Sequence, residues 1–267
     1  MNEFNYLGNY HTHTQWCNHG TLSMHTAIDE ALGAGMNILG FSEHAPFPDD
    51  RFFRMKYTSL ESYIKDAEAL KTEYSGRLII KKGLEIEFFP DAISYYSELL
   101  NKLEIDYLIL GQHFFKSGDR ILKTKQIDDT RSLVNYAESL AEAMNTGLFR
   151  IAAHPDYCFS CDLPLDNNSY RAMDIIINAA VRTGTILEVN ANGFRKPEFE
   201  SCIGIRKKYP FLPFWELAAV HNVRCIIGSD AHHPSQLFDD SVKKAFTFAN
   251  GLNLSLVSNN LIECGEY

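Results

Sequence analysis

The stretch LGNYHTHTQWCNHG, residues 7–20, begins as an extended run and breaks into a polar loop that carries His11, His13 and His19. Leu7-Gly8-Asn9-Tyr10 has strand character, whereas Gln15 to Gly20 is polar and turn-prone. Two His separated by one residue on a strand point to the same side. The pair alone is weak, since ten His are spread over 267 residues and a histidine-rich surface loop would read the same way. Its weight comes from what the rest of the chain repeats.

Six further apolar or β-branched runs end in the same kind of residue. They are ILGFSEH (38–44), LIIKKGLEIEF (78–88), DYLILGQHF (106–114), FRIAAHPD (149–156), TILEVNAN (185–192) and RCIIGSDAH (224–232). Longer amphipathic segments lie between them, so seven strands alternate with seven helices in the manner of βα units around a parallel sheet. SMHTAIDEALGAG (23–35) has Ser23 as an N-cap and Gly35 as a stop signal, and SLESYIKDAEALKTEY (59–74) has Ser59 in the capping position. An open sheet and a barrel both satisfy that count. The run ends decide between them: His11 and His13 close the first run, Glu43-His44 the second, His113 the fourth, His154 the fifth, and Asp230 with His232 the seventh, while Glu85 sits late in the third. In a barrel the carboxyl ends of all strands converge on one face, whereas an open sheet leaves the first and last far apart. The expectation is therefore an α/β chain forming one domain over residues 1–267, a distorted (β/α)7 barrel with its active site at the C-terminal ends of the strands.

With 45% apolar residues the chain can bury a full core, and no linker-like composition shift divides it. The formal net charge of −9 argues against nucleic acid or an anionic membrane as partner, while a small anionic substrate stays open because local cations can invert the field in one pocket. No basic leader followed by an apolar run and no membrane-length apolar stretch is present, so a soluble, cytoplasmic protein is expected. Six Cys, at 17, 158, 161, 202, 225 and 264, are too dispersed for a disulfide framework. Cys158 and Cys161 form a lone CxxC with no second pair to complete a four-thiolate site. Phe and Tyr are plentiful enough to supply a homo-oligomer interface.

The run ends together supply His11, His13, His19, His44, Glu85, His113, His154, Asp230 and His232. His25, His221 and His233 fall in helix or loop contexts, where His serves the surface or a cap. Burying seven imidazoles together is costly unless a cation organises them. Neutral imidazole and carboxylate suit Zn, Mn or Fe, and seven His with two acids exceed what one tetrahedral ion uses, so two or three ions are implied. Glu85 is the candidate bridge. Two ions roughly 3.5–4 Å apart can share a hydroxide and stabilise the attacking and leaving oxygens of a phosphate ester.

HTHT after the first strand, FSEHAP after the second, and then GLEIEF, GQHF, AHPD and GSDAH resemble, in content and order over essentially the whole chain, the polymerase and histidinol phosphatase (PHP) superfamily. LEVNANGFRKP, KYP and GSDAHHPSQL are most similar to its monofunctional histidinol-phosphatases. The resemblance implies a trinuclear centre of divalent ions, zinc first and Mn or Fe as alternatives, at the C-terminal face of the barrel. By matching motif, His11, His13, Glu85 and Asp230 would hold one ion, Glu85, His113 and His154 a second, and His19, His44 and His232 the third. It further implies hydrolysis of L-histidinol phosphate to L-histidinol and phosphate, with a metal-bridging hydroxide attacking phosphorus in line. Asp230, Glu85 and His232 would be the catalytic set, Asp230 as a proton carrier to the leaving alkoxide.

Arg195, five residues past Asn190, is the candidate for gripping phosphate with a bidentate fork, and Asn190 the second substrate-binding residue. The chain departs from the family pattern at two places. Gln112 precedes His113 where a small residue is more usual, which touches the surroundings of the ligand and not ligation. HPDYCFSCDLP lacks the basic residue that often follows the fifth-strand His-x-Asp, so Arg195 or another loop cation must serve. Two alternatives remain: a phosphoesterase for another small ester or nucleotide, and a metal-binding domain without catalysis.

Overall fold

A computed structural model describes residues 8–52 and 54–257; Leu7, at the head of the first run, and Cys264 lie outside them. The strands, in chain order, are β1 Gly8–Asn9, β2 Ile38–His44, β3 Ile79–Ile86, β4 Tyr107–Leu110, β5 Phe114–Ser117, β6 Arg120–Lys123, β7 Ile151–Ala152, β8 Ile186–Asn190, β9 Phe199–Ser201, β10 Gly204–Arg206, β11 Arg224–Gly228 and β12 Ser255–Leu256. Helices α1 Met24–Gly33, α2 Leu60–Glu73, α3 Ile93–Asn101, α4 Thr130–Asn145, α5 Asn167–Thr183, α6 Ala191–Arg195, α7 Leu212–Val220 and α8 Asp240–Gly251 fill the crossovers. Every residue of β2 and β8 is buried, the pattern of strands covered on both faces.

Eight strands make one parallel sheet in the order β1-β2-β3-β4-β7-β8-β11-β12. The sheet curls until its first and seventh strands meet: Thr12 bridges Ala231, His13 N donates to Ala231 O at 2.8 Å, and Ser229 N donates to the Asn9 carboxamide oxygen at 3.0 Å. Tyr10, Ile38, Tyr107, Ile109, Ile151, Ile186 and Ile226, from strands all round the sheet, form a buried cluster of their own, which is the filling of a barrel. Burying a side chain of this size is worth roughly 1.5–3 kcal/mol. The helices pack over the outside in a separate, larger core.

All seven expected strands are present. The eighth, β12, pairs with only Arg224 and Cys225 of β11, and two residues give no periodicity to read. Two antiparallel hairpins, β5–β6 and β9–β10, also lie outside the alternation. Ser23 caps α1, its hydroxyl accepting from Thr26 N at 3.0 Å. Ser59 does not cap α2. A 3-10 turn over Tyr57–Ser59 runs directly into the helix, so Ser59 has helical backbone (φ −94°, ψ −10°) and cannot turn its hydroxyl onto the first amides. No helix among the described residues is long and apolar enough to cross a membrane.

Candidate metal centre

The strand period brings His11 and His13 to the same side at the end of β1, with their Nε2 atoms 3.0 Å apart. Two imidazole nitrogens this close cannot both present lone pairs without a cation or proton between them. Glu85, one residue from the end of β3, lies between the strand ends. Its Oε2 is 3.5 Å from His11 Nε2, 3.3 Å from His13 Nε2 and 2.9 Å from His44 Nδ1, whereas its Oε1 is 3.1 Å from His154 Nε2 and 3.8 Å from His113 Nε2. Each oxygen thus faces a different imidazole set, as a bridging carboxylate must. Gly111 makes the room, because a Cβ there would stand 2.2 Å from Glu85 Oε1. Asp230 Oδ1 is 3.5 Å from His13 Nε2 and 3.7 Å from His11 Nε2.

Three donor groups have their ligand atoms within 4.8 Å of one another: His11, His13 and Asp230; Glu85, His113 and His154; and His19, His44 and His232. The first of these lacks Glu85, which the resemblance adds to it and which lies instead in a further group with His13 and His44. The donor chemistry fits metal ions. Burial, with His232 and His44 adding to it, pushes the His13 imidazole well below its ordinary pKa, and burial pushes His44 down to about 3, so both present neutral nitrogens. Against the effect of burial, the facing imidazoles hold Glu85 and Asp230 well below the usual carboxylate range. His11 goes the other way: burial opposes its charge, but Glu188, Asp230 and Glu85 outweigh it, a field that favours a cation at this point. Glu85 Oε2 and His232 Nε2 are buried and make no aligned hydrogen bond among the described residues, although His44 lies close to the former. His/carboxylate clusters of this kind are able to bind metal ions.

Two of these residues have left-handed backbone, His154 at φ 32° and Asp230 at φ 47°. Such conformations cost of order 1–3 kcal/mol in a non-glycine residue and persist where the surroundings impose them. Glu188 holds His154 directly and reaches Asp230 through Asn190. Its Oε1 is 2.6 Å from His11 Nδ1, and its Oε2 accepts from His154 N at 3.1 Å and from Asn190 Nδ2 at 2.8 Å. Gly228 leaves the space for it, since a Cβ there would collide with Glu188 Oε1. Sequence reasoning passed over Glu188, whose signal was a lone acid inside the otherwise apolar run TILEV. Glu87 was passed over too. It is two residues from Glu85 on the same strand face, takes an ion pair from Arg54 at 2.6 Å and faces His113 Nδ1 at 3.4 Å.

Both expected substrate residues have other work. Arg195 donates from Nε to Asp239 at 2.8 Å, from Nη1 to Ser229 O at 2.7 Å and from Nη2 to Gln236 O at 2.7 Å, so its fork is filled and ties α6 to α8. Asn190 caps α6 through Asn192 N and donates to Asp230 Oδ2 at 3.2 Å, orienting that carboxylate. Gln112 binds Phe88 N and Ser139 Oγ, joining the end of β3 to α4 behind the ligands. His25, His221 and His233 are exposed, and His233 accepts from Ser235 N as a cap. Cys158 and Cys161 are free thiols outside the three groups. Cys17, buried, has its Sγ within 4.8 Å of ring nitrogens of His13 and His232, and burial pushes its thiol up to about 12.

The centre floors a cavity of about 430 Å³, whose walls include Arg54, Lys123, Lys125, Lys196, Phe114, Asn192, Tyr157 and Tyr209. A curled parallel α/β sheet with a His/carboxylate cluster at the C-terminal strand ends defines a metal-site barrel. The PHP domain model matches residues 9–192, and the chain belongs to the PHP domain family. The chain is 29% identical over 249 residues to a probable histidinol-phosphatase of Deinococcus radiodurans, covering 88% of this chain and 90% of that one. It is 24% identical over 284 residues to a probable histidinol-phosphatase of Schizosaccharomyces pombe, covering 96% and 86%. The fold is similar, at TM-score 0.70 and 18% identity, to the histidinol phosphate phosphatase of Lactococcus lactis crystallised with zinc, L-histidinol and phosphate, over 94% of this chain and 95% of that one.

Proposed function

We propose that the protein is a phosphoric monoester hydrolase that converts L-histidinol phosphate and water to L-histidinol and phosphate, a step of histidine biosynthesis, at a centre of three divalent ions. The observation that carries this reading is Glu85, one carboxylate with each oxygen turned to a different imidazole set. His11, His13, Glu85 and Asp230 would hold one ion, Glu85, His113 and His154 the second, and His19, His44 and His232 the third, zinc being the first choice for this donor set. When bound, such ions supply Lewis acidity toward phosphate oxygens and a hydroxide nucleophile at neutral pH.

The chain's own part is positional and protic. Glu188 accepts a hydrogen bond from His11 Nδ1, which keeps the proton on that nitrogen and leaves Nε2 as the lone-pair nitrogen turned to the centre. Asp230 is steadied on its Oδ2 edge by Asn190 and Asn192, which leaves Oδ1 toward the cluster. In that position it is the group to relay a proton to the departing alkoxide, with His232 beside it at 3.5 Å. The relatives named as histidinol-phosphatases support the choice of ester. Phosphate release from L-histidinol phosphate should exceed release from a panel of sugar and nucleotide monophosphates, and equal rates across the panel would overturn the assignment.

A further inference from the structure

Beyond the metal-type ligands, the cavity has a cationic lining in a protein whose formal net charge is −9. Lys123, Lys125 and Lys196 contribute to it. The hairpin β5–β6 carries Lys123 back beside the centre: Phe114 pairs with Lys123 in register, and Thr124 N donates to His113 O at 2.9 Å while its hydroxyl bonds Gln112 O at 2.6 Å. Thr124 is buried, so the two lysines that flank it are anchored at the end of β4 next to a candidate ligand. Lys196 comes from a separate segment, directly after the Arg195 whose three-way attachment fixes the end of α6. None of these three lysines has a carboxylate within 4.0 Å among the described residues, while the wall's other cation, Arg54, is ion-paired with Glu87. Among the described residues the acids lining the cavity are Glu85 and Asp230, both part of the candidate centre.

A second anionic group on a bound ester therefore meets lysines that no acid occupies among the described residues. We propose that the cavity also accepts, as a further substrate class, phosphate monoesters bearing a second anionic group remote from the scissile phosphate, and that Lys123, Lys125 and Lys196 grip that group. This rests on the phosphomonoesterase reading for turnover but not for binding. The lysines are unpaired with acid and sit in a concave site, where field lines focus and their attraction for an anion is stronger than on open surface.

The test is calorimetric binding of three non-hydrolysable probes to the metal-loaded protein at low ionic strength: benzylphosphonate, its 4-carboxy derivative and its 4-aminomethyl derivative. The carboxy probe should bind about tenfold more tightly than the parent and the aminomethyl probe more weakly, a decade being ~1.4 kcal/mol. The double substitution Lys123→Ala, Lys125→Ala should bring the carboxy probe down to the parent's affinity. Lys196→Glu should shift preference toward the aminomethyl probe, and Lys243→Ala, on α8 and paired with Asp240, should leave the order as it is. Equal affinities, tightest binding of the aminomethyl probe, or an order untouched by the cavity-lysine substitutions would overturn the proposal. Failure to hydrolyse any monoester, with this binding order intact, would instead overturn the enzymatic reading.

Discussion

At Glu188 one buried carboxylate meets His11, His154 and, through Asn190, Asp230, and so links three strand ends. Glu188→Gln keeps the shape but supplies only one oxygen to the two positions that accept, and we expect metal affinity to fall by roughly 10- to 100-fold, read by competitive zinc titration. Unchanged affinity would reduce Glu188 to packing. His44→Asn should deplete one ion and depress turnover, whereas His25→Asn, on the exposed face of α1, should leave elemental metal content and rate near the parent's; equal large losses would contradict the geometry. The nine candidate ligands were legible because type and position coincide: each stands at or just beyond an apolar run. Glu188 and Glu87 did not stand out, because their partners, His11, His154, Arg54 and His113, come from other segments and meet them only in the folded chain. Arg195 shows the same limit of local sequence, its fork being occupied here by Asp239, Ser229 and Gln236. A bidentate fork looks alike in sequence whether it awaits phosphate or closes on Asp239.

Among the helices, capping separates two serines that read alike. Ser23→Ala removes the acceptor of Thr26 N and should cost about 1 kcal/mol in urea unfolding. Ser59→Ala removes no cap bond and should stay within about 0.5 kcal/mol of the parent. Equal losses would refute the difference in backbone. The strand ends are less forgiving. Gly228→Ala puts a Cβ 1.7 Å from Glu188 Oε1, so either the β11 backbone or the Glu188–His11 contact must move. The expected result is loss of several kcal/mol of stability together with weaker metal retention, measured by denaturation and elemental analysis. Periodicity located all seven main strands and the helices between them, since burial on both faces leaves continuous apolar runs. It did not find β12, the hairpins or the short helix α6, whose first residues it reads as the end of the run TILEVNAN, because two to five residues carry too little pattern.

For the molecule as a whole, ions bound at the centre join segments from residue 11 to residue 232 and should stabilise the fold by mass action. An ion at a hundredfold its dissociation constant adds about 2.7 kcal/mol. Chelation should lower the thermal midpoint and zinc restore it, and a midpoint indifferent to both would argue against a resident centre. The sequence by itself determined the strand and helix alternation, the ligand types and the order in which they appear, because these depend on local pattern and on which side chains can donate to a metal. Only the tertiary structure decided that Glu85 turns its two oxygens apart, that Arg195 is occupied and that three lysines line one cavity. Those are distances between residues far apart in the chain, and they exist only once the sheet has curled to bring Thr12 against Ala231.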